Sequence, residues 1–207
     1  MRSILLAILV SFPALADWEG KIHFTFDPPR PGQGPHADGT IHMKHGKVRI
    51  DQQGPMGNMA ILFDLKTKKL AMLMLDRKKY MEMDRSLMAA TVPPVCETDK
   101  AAECLTAEGF KKTGSETVDG RKANIWEQDR DTPMGKVHQK LWVPENAKEL
   151  MFLRQVTQSD RGASKTDVSD VKETAQADSL FQVPSDFTKM EGPPGGMGPR
   201  GGRPPGK

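Results

Sequence analysis

Between Asn58 and Met83 the chain reads NMAILFDLKTKKLAMLMLDRKKYMEM, three short apolar runs parted by two compact charged turns. The runs are Ala60–Phe63, Leu70–Leu75 and Tyr80–Met83. Apolar stretches of about four to eight residues bounded by polar turns are strands rather than helices. Asp64–Lys69 and Asp76–Lys79 are too short to hold crossover helices, so the spacing predicts antiparallel neighbours. In the middle run Leu70, Met72 and Met74 share one face, and Ala71, Leu73 and Leu75 the other. A strand apolar on both sides must be covered on both, which calls for a sheet wrapped around an apolar interior.

The flanking segments carry the same period. Trp18, Gly20, Ile22, Phe24 and Phe26 alternate with Glu19, Lys21, His23 and Thr25, giving one apolar and one wet face. Asp27–Asp38 is rich in Pro and Gly and reads as a surface loop. Thr40–Lys44 and Lys47–Asp51 form a hairpin around His45-Gly46, and Gln52–Gly57 is a second loop. Ser86–Ala90 has room for one helical turn before Pro93-Pro94. Lys100–Glu108 is the expected helix, with Asp99 as N-cap and Gly109 just past its end. Phe110–Val118 and Arg121–Gln128 flank Asp119-Gly120, a strong two-residue hairpin signal. Lys136–Val143, Met151–Gln158 and Lys165–Val171 complete a series of about ten strands with no βαβ alternation. The expected class is mainly β (α+β): a half-open antiparallel barrel with one or two short helices covering its concave side.

Residues 1–16 read as a secretory signal peptide, with Arg2, an apolar Ile4–Val10 segment and an Ala14-Leu15-Ala16 cleavage site before Asp17. The residue right after that site is Asp17 and not a cysteine, so no lipid anchor is expected there, and the mature chain is expected in a periplasm or outside the cell. Residues 17–190 are long enough for one barrel domain with a real core. Residues 191–207 are Gly/Pro-dominated and basic and read as a disordered tail. The formal charge of +3 falls to +2 once Arg2 is removed (3 − 1), too balanced for nucleic acid to be a partner. Cys96 and Cys104 have seven residues between them. In an oxidising compartment they are expected to form one disulfide, worth about 2–3 kcal/mol by loop entropy.

Several stretches resemble the superfamily of the LolA and LolB periplasmic lipoprotein carriers, in its domain-of-unknown-function branch. They are GKVRID at Gly46–Asp51, ILFDLKTKKLAMLM at Ile61–Met74 and YMEM at Tyr80–Met83, then TVDGRKANIW at Thr117–Trp126, KLWVP at Lys140–Pro144 and DSLFQVPSDF at Asp178–Phe187. The resemblance implies a half-open barrel whose cavity receives acyl chains. Two departures stand out: the carriers' arginine-latch pattern is absent around Arg49, and the carriers lack the Gly/Pro tail.

The residues expected to line such a cavity are Ile22, Phe24, Met43, Ile61, Leu70, Met72, Met74 and Met81. Methionine is flexible and suits either an irregular packed core or a lining that re-forms around variable chains. The thirteen methionines, with His23, His42 and His45, also raise a periplasmic copper(I) site. Alternation opposes it, because His23 and His42 fall on wet faces while Met43, Met72 and Met74 fall on apolar ones. No catalytic signature is present: there is no G-x-S-x-G, P-loop, H-E-x-x-H or G-x-G-x-x-G. Asp64, Asp76 and Asp84 are explained by turn chemistry, and Glu19, Glu82 and Glu127 as solvated strand charges. The sequence therefore reads as a monomeric, non-enzymatic carrier of an acyl chain or lipoprotein, with no cofactor or metal and transient contacts to membrane or envelope proteins. The alternative is a cell-envelope structural or interaction protein with a solid core and an exposed Trp.

Overall fold

The computed structural model describes residues 17–29, 34–54, 57–64, 66–83, 100–132, 135–145 and 152–190. The expected leader and tail, the turn at Ser86–Ala90, Asp99 and Cys96 lie outside the described residues.

Twelve strands form a single sheet. In chain order they are β1 (Trp18–Asp27), β2 (His36–Lys44), β3 (Lys47–Gly54), β4 (Gly57–Asp64), β5 (Leu70–Met74) and β6 (Lys79–Met83), then α1 (Ala101–Ala107), β7 (Lys111–Val118), β8 (Arg121–Thr132), β9 (Gly135–Pro144), β10 (Arg154–Ser159), β11 (Gly162–Glu173) and β12 (Thr188–Lys189). The order across the sheet is β12-β6-β5-β4-β3-β2-β1-β11-β10-β9-β8-β7. Strands β1 to β6 and β7 to β11 are thus two antiparallel meanders, joined where β1 pairs with β11. The sheet is open rather than closed, a half-open barrel, mainly β with a single described α-helix.

Local chemistry accounts for the turns. At His45-Gly46 and Asp119-Gly120 both central residues have positive φ, 47° and 78° in the first turn and 49° and 71° in the second. Two successive left-handed residues are what a two-residue hairpin needs to match the strand twist. The Asp64 carboxylate accepts the N–H groups of Lys66 and Thr67 at 2.9 and 2.8 Å, ordering the β4–β5 turn. The end of β5 gives way to a 3-10 turn at Leu75–Arg77, so Leu75 is not in the strand expected of it. Likewise β2 begins at His36, inside the stretch read as loop, because His36 to Asp38 pair with His23 to Thr25.

Register carries side chains across the first meander in rows. One row runs Trp18, Met43, Val48, Phe63, Leu70, Met83; the next Gly20, Ile41, Ile50, Ile61, Met72, Met81. A third runs Ile22, Gly39, Gln52, Met59, Met74, Lys79. These rows make the inner face of β1–β6, and burying it is the main apolar contribution to the fold. At Gly39 a Cβ would run into the Asp51 carbonyl oxygen on β3, so the glycine permits a close backbone approach.

The opposite, outer face is also apolar over β4–β6: Ala60, Leu62 and Leu73 are buried there, with Ala71, Leu75 and Tyr80 beside them. Val183 and Phe187 of the C-terminal segment cover this patch. That segment leaves β11, makes a 3-10 turn at Asp178–Phe181 and ends as β12, parallel to β6. The two-sided apolarity of Leu70–Leu75 is therefore met by the inner face on one side and a C-terminal strap on the other. The strap is the element that a strand period does not reveal; it supplies the twelfth strand, where about ten were expected.

Helix α1 lies over the β8–β9 part of the sheet through one buried residue, Leu105, packed with Phe110, Trp126, Leu141 and Val143. Its N-cap position is Lys100, which makes no side-chain capping bond. Gly109 ends it with φ +92°, as the position after a helix requires.

Candidate functional site

The eight residues expected as a lining do share a face. Ile22 and Phe24 come from β1, Met43 from β2, Ile61 from β4, Leu70, Met72 and Met74 from β5, and Met81 from β6. The pairings Ile61–Met72–Met81 and Met43–Val48–Phe63–Leu70 connect them laterally. They divide by burial. Ile22, Met43, Leu70, Met74 and Met81 are 1–3% exposed, whereas Phe24, Ile61 and Met72 are half-buried. Phe24 and Phe26 stack with ring centroids 6.3 Å apart.

The second meander gives the same face a different chemistry. Continuing from Phe24, the row runs Thr166, Gln155, Leu141, Trp126. Continuing from Phe26 it runs Ser164, Thr157, Gln139, Gln128. Gln139, Gln155, Thr157 and Thr166 are all buried. Gln155 Nε2 donates to Thr157 Oγ1 at 3.2 Å, while its Oε1 is buried without a partner. The inner face is thus apolar and methionine-rich on β1–β6 and amide- and hydroxyl-bearing on β9–β11. Sequence alternation missed this second half because glutamine and threonine on a strand read as the wet face.

The tryptophans settle into packing roles. Trp18 heads an inner row and Trp126 is buried under α1 rather than exposed at a mouth. Trp142 points away from its neighbours Leu141 and Val143; its Nε1 donates to Glu116 at 2.8 Å. Lys140 and Arg154 stand 5.1 and 5.5 Å from its ring centroid.

The outer face holds a polar clasp on the strap. Gln176 is buried; its N–H donates to Asp17 at 3.0 Å, and its Oε1 lies 3.1 Å from His42 Nδ1. Lys44 donates to the Gln176 carbonyl at 2.6 Å and pairs with Asp178 at 3.2 Å. Arg49 grips Asp51 through two bonds of 2.7 Å and donates a third, at 3.0 Å, to the Leu180 carbonyl. Arg49 therefore fastens the strap. His23 bonds Asp38 and Ser169 on this same face, so imidazoles and inner-face thioethers stand on opposite sides of the sheet. Among the described residues no cluster of three or more His, Cys, Asp and Glu side chains is arranged to hold a metal ion, and no helix is long and apolar enough to cross a membrane.

A hollow of about 700 Å³ opens at one end of β3–β6, where the two faces meet. Val48, Phe63, Leu70 and Met83 reach it from the inner face, and Leu62 and Ala71 from the outer face. Phe181 and Val183 of the strap close its side, and Lys47, Lys68 and Lys69 stand among its walls with Asp64 and Glu82. Of the eight expected lining residues only Leu70 contributes. Burial works to raise the Asp64 pKa, but the Thr67 and Lys66 N–H groups prevail and hold it below its ordinary value. Glu82 is also lowered, first by its bond to Lys189 at 2.6 Å. Both acids are therefore charged and already engaged.

Solved structures align with the chain at low identity. An uncharacterized conserved protein from Thermus thermophilus aligns with a TM-score of 0.52 and 10% identity, over 85% of this chain and 90% of that one. The Mycobacterium tuberculosis lipoprotein LppX aligns at 0.42 and 9% identity, over 77% and 89%. LprF from Mycobacterium bovis aligns at 0.39 and 12%, over 84% and 92%. No curated protein matches the chain. The likeness to the Thermus thermophilus protein speaks to fold alone. A family profile described as a domain of unknown function, DUF4412, matches residues 18–160, and the chain belongs to that family.

Proposed function

We propose that the chain is an exported, carrier-like binding protein that holds the acyl chain of a lipid or lipoprotein by hydrophobic burial, with no covalent chemistry. The observation that carries this reading is the register-linked inner face, on which eight apolar residues from five strands lie together. Phe24, Ile61 and Met72 remain partly accessible there, and methionine can re-pack around a guest. At about 25 cal/mol per Å² a buried acyl chain contributes several kcal/mol, enough for reversible capture. Export rests on residues 1–16, with mature protein starting at Asp17 and a Cys96–Cys104 disulfide formed after translocation; N-terminal sequencing and mass measurement with and without reductant check both.

The test is native mass spectrometry of protein from its own host, followed by titration with a fluorescent fatty acid. Co-purified lipid, and affinity lost about tenfold in Met72→Glu, is the expected result. Protein that arrives empty and ignores the probe overturns the reading. One observation favours the solid-core alternative: Ile22, Met43, Leu70, Met74 and Met81 are each at most 3% exposed. That alternative predicts an empty protein whose Met72→Glu variant loses stability only.

A further inference from the structure

We propose that the hollow at the end of β3–β6 takes a single-chain carboxylate amphiphile, its chain on the apolar floor and its head group held by Lys47, Lys68 and Lys69. The inference builds on the carrier reading by assigning a head-group class and an entry point. The floor comes first. Phe63 and Leu70 lie on the inner side and Phe181 and Val183 on the strap, and all four line one continuous space. A space of about 700 Å³ falls within the range of small-molecule sites, and its walls are mostly apolar with a few charged groups.

The charges decide the occupant. Three lysines and two acids line the hollow, and the acids are spoken for: Asp64 by the N–H groups of its own turn, Glu82 by Lys189. Lys47, Lys68 and Lys69 form no close ion pair among the described residues; Lys47 and Lys69 reach Asp64 and Glu82 only through longer-range attraction, which helps to lower both acids. Lys68 and Lys69 sit on the turn that Asp64 orders, and Asp64 N–H donates to the Lys69 carbonyl at 3.0 Å, so the backbone that carries these lysines is held at the hollow. An apolar floor alone would accept any chain. A floor with three ammonium groups at one end, none held in a close ion pair, favours a chain ending in an anion, through charge-assisted hydrogen bonds. The lysines stand at one end of a recess rather than on a flat face, which fits one free molecule better than a bilayer surface.

The experiment uses the full chain and two probes of equal length, 11-(dansylamino)undecanoic acid and its methyl ester. The acid is expected to bind about tenfold tighter than the ester, the ratio a charge-assisted bond supplies. The triple variant Lys47→Gln, Lys68→Gln, Lys69→Gln is expected to lose that preference while keeping ester affinity. A control, Lys111→Gln with Lys112→Gln on β7, is expected to keep it. Equal binding of acid and ester, or a preference that survives the triple variant, overturns the head-group assignment and leaves the carrier reading standing. Failure to bind either probe overturns both. Lysine-dependent sedimentation with phosphatidylglycerol vesicles by a chain that ignores the free acid overturns the assignment in favour of a membrane surface.

Discussion

At the scale of single residues, the buried amide of Gln155 is the most exposed to test. A buried acceptor without a partner costs about 1–3 kcal/mol, and Gln155 Oε1 is such an acceptor on the inner face. Gln155→Leu is therefore expected to leave stability unchanged or raise it by about 1 kcal/mol in urea unfolding. A loss above about 2 kcal/mol would mean that the oxygen has a partner, and would point to a polar guest on that side. Gly39 is the opposite case, a residue whose lack of a side chain is the point. Gly39→Ala is expected to cost about 1–3 kcal/mol, since β1, β2 and β3 must move apart to admit a methyl against the Asp51 carbonyl. Alternation put Ile22, Met43, Leu70 and Met81 on one face because apolar side chains say plainly which side they prefer. It placed Gln155 and Thr166 nowhere, because a buried polar residue on a strand leaves the same sequence signature as one in water.

Among the elements, the strap carries the sharpest expectations. Phe181 is buried beside Val183, and Phe181→Ala is expected to cost about 3 kcal/mol by leaving a cavity under the segment. Its far end is held by two exposed ion pairs, Lys189–Glu82 at 2.6 Å and Lys78–Asp186 at 2.9 Å. Glu82 and Asp186 have lowered pKa values, each chiefly through its lysine, and Lys78 is raised through Asp186. A depressed carboxylate stabilises above its ordinary pKa and stops doing so as pH falls through the folded value. A raised lysine stabilises below its ordinary pKa and loses that contribution as pH rises through the folded one. Hydrogen exchange at Thr188 and Met190, whose N–H groups bond Lys78 and Tyr80, should accelerate first at acid pH below the carboxylate range. Unchanged relative protection of these amides would show that the pairs contribute nothing. The hairpins and α1 were legible because Asp-Gly, His-Gly and a helix-ending Gly109 are local signals. The strap was not. Asp178–Phe187 has no period, and its meaning depends on a patch more than a hundred residues away, as Arg49 to Leu180, 131 residues apart, illustrates.

For the whole molecule the decisive line is the seam between the two meanders. Trp18 to Asp27 pair with residues from Ala163 to Glu173, Ile22 opposite Val168 among them. Val168 is 2% exposed, so Val168→Asp is expected to cost more than about 3 kcal/mol and to lower the entire denaturation curve in a single transition. Two resolved transitions would instead show that the meanders are independent. The antiparallel class and the strands of both meanders were readable from spacing, whereas this long-range pairing was not, because no local pattern distinguishes a strand that ends a sheet from one that waits for a distant partner. His23 and Ser169, bonded across the seam, are 146 residues apart. Synthesis runs from the first residue to the last, so β1 emerges early with one backbone edge finished and the other bare, and stays so until nearly everything else has appeared. The opening strand of this chain is therefore the one most in need of a chaperone's company during its birth, although it ends at the heart of the finished molecule.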